Sequence, residues 1–268
     1  LSLQTVCLQA QTPVDEQLFD KYAQTVGKVA SRDSLLVKTA LFFINTPYVA
    51  KTLEVNDTEQ LVVNLRELDC ATFVDNVFAL TRTFAKENPD FETFRNELQQ
   101  LRYRGGKIDG YVSRLHYTTD WIFDNERKGL VRDKTKLIIC ANKKLPVQVS
   151  FMSSHPQLYP LLKNDPVAVD SIRRIEKAIN GRQYYFIPKN KIATRARSIA
   201  TGDMVCLATK MEGLDTSHVG IAYWQNDRLT FIHASSKRGK VIVNPETLAE
   251  YCMKDKNNLG IIVVKLIY

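Results

Sequence analysis

The chain has 268 residues, 44% of them hydrophobic and 25% charged, with a formal net charge of +8. That is ample for a packed core and unlike a disordered chain, and the length fits one large domain or two small ones. The longest apolar runs, such as "LGIIVVKLI" at 259–267, fall far short of the ~20 residues that span a bilayer, so no stable membrane insertion is expected. Basic clusters at "RYRGGK" (102–107), "TRAR" (194–197) and "KRGK" (237–240) favour anionic partners or a solvated lysine-rich face. No zinc-finger spacing, RNA-binding signature or DNA-reading helix accompanies the charge, so nucleic acid is not the expected partner.

The first residues, "LSLQTVCLQAQTP", resemble the tail of a secretory signal with cleavage after Ala10. Residues 1–14 therefore read as a signal-peptide remnant and linker, and the protein as exported and periplasmic. A lipid anchor at Cys7 fits less well, because Val6 is bulky where such sites want a small residue. Cleavage would remove Cys7 and leave Cys70, Cys140, Cys206 and Cys252, whose wide spacing is neither a disulfide framework nor a zinc site. One exposed reactive thiol with buried neighbours fits that set.

From Asp15 to Ser31, apolar residues recur at three- and four-residue steps and predict an amphipathic helix. A second runs from Ser34 to Ile44 and stops before Pro47. After "LVVNL" comes "NLRELDCATFVDNVFAL" (64–80), a helix whose inward stripe is Phe73, Val74, Val77, Phe78 and Phe84. "DFETFRNELQQLRY" after Pro89 is a further helix. Residues 103–165 show no clear period, apart from "LPVQVSF" (145–151), which alternates like a strand. "VAVDSIRRIEKAIN" (167–180) is helical and stopped by Gly181. "DMVCLAT" (203–209), "HVGIAYW" (218–224), "LTFIHAS" (229–235), "KVIV" (240–243) and the 259–267 run read as short strands. Helices first and a strand meander afterwards make an α+β protein. With no repeat, low-complexity tract or Pro/Ser-rich linker, residues 15–268 read as a single domain.

Cys70 is the first chemical question. Asp69 is a good N-cap, which puts Cys70 at the first helical position, where unpaired N–H groups and the helix dipole favour a thiolate. Its own amide could also hold an oxyanion. The plain alternative is a small buried residue, since Cys70 shares a face with Phe73, Val74 and Val77. A nucleophilic cysteine needs a base and the base an orienting partner. The chain has four histidines, and two of them, His218 and His233, sit on consecutive predicted strands. An even-length turn puts both on one face, whereas an odd one separates them. Zinc held by Cys70, His218 and His233 is disfavoured, because no close ligand pair is present. His155 reads as a loop residue.

"NTPYV" (45–49), "LDCATFV" (68–74), "SHVGIAYW" (217–224) and "FIHAS" (231–235), in that order, resemble the signature of the NlpC-type papain-like cell-wall hydrolases. There a Pro-Tyr precedes an Asp-Cys at a helix start, a His-Val-Gly-Ile strand supplies the base, and the next strand supplies a polar orienting residue. The "RYRGGKIDGYVSRLHYTTDW" stretch (102–121) and "GDMVCLAT" (202–209) bring the resemblance closer to the bacterial N-acetylmuramoyl-L-alanine amidase-like subgroup, over nearly the whole chain beyond residue 15. Two departures stand out. Ala71 and Thr72 replace the usual Ser-Gly, and the gap from Cys70 to His218 is far longer than in simple members. Extra structure there would build pocket walls suited to a soluble fragment.

The resemblance implies a papain-like α+β fold. The nucleophile sits at a helix N-terminus, packed on a C-terminal antiparallel sheet or partial barrel, with a large insertion between nucleophile and base. It implies Cys70 as nucleophile, His218 as general base then acid, His233 as orienting residue, and Tyr48 near the oxyanion. The bond attacked would join the muramic acid lactyl group to L-alanine, with no metal or organic cofactor. Muropeptides are then the partners, and their carboxylates give the positive charge a purpose. Asp69, Arg114, His116 and Tyr117 are the expected substrate contacts, although Asp69 also caps its helix, Arg114 could pair with a local acid, and Tyr117 could be core. Two other readings remain open. One is an endopeptidase cutting within the stem peptide with the same triad, and the other a non-catalytic muropeptide binder.

Overall fold

The computed structural model describes residues 13–138 and 142–268, so the expectations resting on Cys7, Ala10 and Cys140 lie outside the described residues. Helix α1 (Pro13–Tyr22) does not continue regularly to Ser31; it passes into a π-helical turn at Ala23–Gly27. The irregularity coincides with a close approach, since a Cβ on Gly27 would lie 2.4 Å from the Phe84 ring. Helix α2 (Arg32–Phe42) follows and ends before Pro47.

Helix α3 (Cys70–Phe84) begins where its cap dictates. Asp69 Oδ1 accepts from the Thr72 N–H at 2.8 Å, and Thr72 Oγ1 accepts from the Asp69 N–H at 2.9 Å. This is a capping box with threonine in place of the usual glutamate. Residues 72–81 are all buried, and a helix covered on every side is a core helix rather than a surface one. Most of its polar side-chain atoms find partners inside, although among the described residues Asn76 Oδ1 has none. Asn76 Nδ2 donates to the Thr72 and Asn64 carbonyls, and Thr81 Oγ1 to the Val77 carbonyl. Helix α4 (Phe91–Arg102) lies alongside, and its last residue sends Arg102 Nε to Asp75 Oδ2 at 3.0 Å.

The segment that resisted a periodic reading is built from short pieces: α5 (Thr118–Arg127), β1 (Val131–Asp133), β2 (Lys143–Leu145) and α6 (Phe151–Ser154). The predicted strand at 145–151 is a correction. Burial does alternate, with Leu145, Val147 and Val149 inside, but the ladder stops at Leu145, because Pro146 has no N–H to offer. Beyond it only Val149 makes an isolated bridge, to Gly213.

Helix α7 (Pro166–Asn180) leads into β3 (Tyr184–Pro188), α8 (Ile192–Arg195), β4 (Met204–Thr209), β5 (Thr216–Gln225), β6 (Arg228–Ser235), β7 (Lys240–Val243), α9 (Leu248–Lys254) and β8 (Asn258–Leu266). The sheet order is β2-β3-β8-β4-β5-β6-β7, with β1 beside β8, and every pairing is antiparallel. Strand alternation gives the sheet two apolar faces. Cys206, Ile221, Ile232 and Val264 join the stripe of α3 on one side. Val205, Ala222, Phe231 and Val263 pack under Leu248 and Cys252 of α9 on the other. Among the described residues, no helix is long and apolar enough to cross a membrane.

Candidate active site

Strands β5 and β6 are joined by Asn226 and Asp227, both with left-handed φ (49° and 60°). A two-residue turn of that kind matches the twist of a hairpin. The turn is therefore even. With Ile221 opposite Ile232, the next pair sets Gly220 opposite His233 and leaves His218 two residues away on the same face. The outcome is a direct contact: His218 Nε2 lies 2.7 Å from His233 Nδ1, with the rings perpendicular at 90°. Gly220 makes room for it, since a Cβ there would meet the Ile232 carbonyl at 2.8 Å and His233 Cβ at 3.1 Å. Gly220→Ala is expected to push β6 away and cost about 1–3 kcal/mol, the usual toll of overpacking. Urea denaturation measures the loss, and imidazole 15N NMR reads the broken contact. An unchanged imidazole pair would refute this role for the glycine.

Cys70 is half-buried and opens α3 at the end of the sheet where β5 begins and β6 ends. The backbone N–H groups of Val219, Cys70 and Ala71 favour its charged form, yet burial and the neighbouring Asp69 carboxylate outweigh them and push the thiol up to about 12. Desolvation thus exceeds the pull of the helix N-terminus, which by itself favours a thiolate. Burial likewise drives His218 down to about 3, helped by His233, and His233 down to about 4. Both imidazoles are thus neutral at ordinary pH. The Asn244 side chain is the neighbour that favours the charged form of His233, while among the described residues His233 Nε2 makes no hydrogen bond of ordinary geometry.

A strap holds the tip of α3 to the sheet. Leu68 N–H donates to the Pro47 carbonyl and Val49 N–H to Leu68, while Tyr48 N–H reaches the Gly239 carbonyl at 2.9 Å. Tyr48 is partly buried, and the nearby Cys70 and Asp69 raise its phenol further after burial itself.

Two cavities flank this region. The first, about 270 Å³, is lined by Asp69, Ala71 and Val219 beside the thiol and by Val74, Trp121 and Tyr159 deeper in. Arg114 and His116 also line it, but neither guanidinium nor ring is idle. Arg114 pairs with Glu54, lies 3.6 Å from Glu59 and stacks on Tyr111. His116 Nε2 donates to the Tyr111 carbonyl at 3.0 Å, and burial pushes its pKa down to about 3. Tyr117 is a correction: its hydroxyl donates to Glu176 and accepts from Met152 N–H inside the core, so the Tyr117 side chain is spent on joining α5, α6 and α7. The second cavity, about 420 Å³, contains His218, His233, Ser235, Lys237, Arg238 and Asn244.

Sequence reasoning missed three contributors. Asp215 Oδ2 accepts from the Thr119 N–H (2.6 Å) and hydroxyl (2.8 Å), capping α5 from a position three residues before His218. The buried Asp75–Arg102 pair lines the first cavity. Asn244 shares the face of His233, because Ile242 pairs with His233; the same parity argument that joined the histidines could have found it. Among the described residues no group of three His, Cys, Asp or Glu could hold a metal ion.

The model of a family described as N-acetylmuramoyl-L-alanine amidase-like matches residues 38–261. A crystal structure described as an N-acetylmuramoyl-L-alanine amidase from Bacteroides uniformis is 37% identical with a TM-score of 0.82, covering 87% of this chain and 97% of its own. One described as a putative xylanase from Bacteroides fragilis is 41% identical with a TM-score of 0.81, covering 85% and 99%. A Legionella pneumophila protein shares the fold at 22% identity and a TM-score of 0.67, covering 95% and 94%. No curated protein matches the chain.

Proposed function

The chain belongs to the N-acetylmuramoyl-L-alanine amidase-like family, and from that premise we propose that it cleaves the amide between the muramic acid lactyl group and L-alanine in soluble muropeptides, with Cys70 as nucleophile. The observation that carries the reading is the 2.7 Å His218–His233 contact at the end of the sheet where Cys70 opens α3. A thiol at a helix N-terminus against an antiparallel sheet bearing its base is what a papain-like hydrolase requires.

The hydrogen-bond chain then has one direction. If His218 is to accept the thiol proton at Nδ1, its own proton sits on Nε2 and is donated to His233 Nδ1. His233 in turn carries its proton on Nε2, toward Asn244. The Cys70 proton moves to His218 Nδ1 as sulfur attacks the carbonyl, and His233 stabilises the imidazolium without ionising. The Cys70 amide and Tyr48 hydroxyl are the candidate donors to the tetrahedral oxygen. Collapse breaks the C–N bond, His218 returns the proton to the leaving amine, and water hydrolyses the thioester by the same relay.

Glycosidase chemistry, which the name of the Bacteroides fragilis protein suggests, calls for two available carboxyl groups. The acids lining the first cavity are otherwise engaged: Asp69 caps α3, Asp75 holds Arg102, and Glu54 holds Arg114.

Mass spectrometry of a defined muropeptide incubated with wild type and with Cys70→Ala tests the proposal. Release of an intact peptide beginning with L-alanine, lost in the variant, is the expected result. A cut further along the stem would replace the amidase by an endopeptidase, and binding without any cleavage would leave a muropeptide binder.

A neutral thiol–imidazole pair also sets the pH profile. With the base depressed to about 3 and the thiol raised to about 12, kcat/KM should stay flat from about pH 6 to about pH 9. Alkylation of Cys70 by iodoacetamide should still be accelerating at the upper end of that range. A fall in kcat/KM near pH 8.5 would instead report a preformed thiolate–imidazolium pair. Stability runs in one direction too. Imidazoles with folded pKa values below the unfolded ~6.5 contribute stability present above that pH and lost as pH falls toward 4.

A further inference from the structure

Two cavities meet the candidate machinery, and the chemistry of amide cleavage treats them differently. The leaving nitrogen must take its proton from His218, so the leaving group extends along the side of the imidazoles, while the acyl group extends away from them. The 420 Å³ basin contains both imidazoles; the 270 Å³ cavity contains neither, and is walled by Asp69 and Ala71 on either side of the thiol.

Their charges differ as well. The acyl-side cavity carries three cations and three carboxylates in its lining: Arg102 is paired with Asp75 and Arg114 with Glu54, Lys51 is matched in number by Asp69, and Val74, Leu115, Trp121 and Tyr159 give it apolar walls. In the imidazole-side basin Lys254 is paired with Glu246. Of the charges that remain in its lining, Lys237 and Arg238 outnumber the single Asp255 carboxylate. Both are exposed at the tip of the β6–β7 hairpin, and among the described residues neither has an ion-pair partner. The hairpin is not a loose flap. Arg238 N–H is tied to Ser235, Gly239 turns with φ 67°, and the Gly239 carbonyl receives Tyr48 N–H from the strap beside Cys70. The backbone that carries the two cations is thereby tied to the strap beside Cys70.

Resting on the amidase reading, we propose that this basin is the leaving-peptide subsite and that Lys237 and Arg238 select a leaving amine bearing a carboxylate. The uncharged acyl portion occupies the neutral cavity. The basin has room for a short peptide, and Ser235 and Asn244 add hydrogen-bonding capacity along its wall.

The test compares kcat/KM for N-acetylmuramoyl-L-alanyl-D-glutamate and for the same compound with both carboxylates masked as amides, using wild type, Lys237→Ser/Arg238→Ser and Lys237→Glu/Arg238→Glu. Wild type should prefer the acid by about tenfold or more, as expected for charge-assisted contacts. The serine variant should bring the ratio near one, chiefly through KM, and the glutamate variant should invert it. A wild-type ratio near one, or a preference that survives both variants, overturns the subsite. If wild type cleaves neither compound, the amidase reading falls and the subsite falls with it. Both positions are exposed hairpin residues, and the ratio within each protein is independent of the fraction folded.

Discussion

Alanine in place of His218 is expected to lower kcat on a muropeptide about a thousandfold, the scale of a lost general acid–base, with KM little changed. The resting thiol is neutral, raised to about 12 by burial and by Asp69, so attack depends on a base accepting the proton as the bond forms. Among the described residues, the imidazole in contact with His218 is that of His233. His233 points its Nδ1 at the vacated position, but its ring belongs to the next strand and is fully buried. Added imidazole should restore part of the rate by entering the space of the missing ring, whereas a variant damaged only in its fold would not respond. Steady-state kinetics with and without imidazole decide the point. A His218→Ala protein retaining more than a tenth of wild-type kcat would remove His218 from the mechanism.

The second large effect concerns stability. Arg102→Met should cost about 3–5 kcal/mol near neutral pH, because removing one member of a buried ion pair strands the other. Arg102 also donates to the Val62 carbonyl at 2.7 Å, so a backbone acceptor is orphaned together with Asp75. The pH dependence identifies the cause. Burial already raises Asp75 despite its partner, and without the guanidinium its folded pKa climbs further above the unfolded value. Such a group is neutral when folded and ionised when unfolded, so the deficit grows as pH rises through neutrality and shrinks on acidification. Urea denaturation near pH 7 and near pH 4.5 should show that contraction, and Arg102→Met/Asp75→Leu should recover much of the loss. An equal deficit at both pH values would show that lost packing, not the stranded carboxylate, is responsible.

Local signals made part of this molecule legible. The Asp69 cap, the apolar stripe after it and the strand alternation around His218 and His233 are short-range patterns, and each is found where its residues indicate. Tertiary effects hid the rest. Helix α5 has no side-chain cap of its own, since the carboxylate that caps it arrives from Asp215. Sequence leaves Tyr117 open between substrate contact and core, and the closing of α6 and α7 over it decides for the core. The protonation state of Cys70 follows from how deeply its neighbours bury it, which no spacing encodes. At 145–151 the period was right about which residues are inside, and Pro146 decided that they would not form a ladder.

The Asp215 carboxylate that caps α5 closes a loop of 96 residues, and contacts of such long range form late, after the entropy of the intervening chain has been surrendered. That side chain, with the Thr216–Thr118 hydroxyl contact at 2.6 Å beside it, pins the wall of the 270 Å³ cavity to the strand carrying His218. During synthesis the thiol of Cys70 therefore emerges long before the imidazole that would activate it. A chain interrupted before β5 would carry a nucleophile with no base, and competence to hydrolyse would be among the last properties the folding protein acquires.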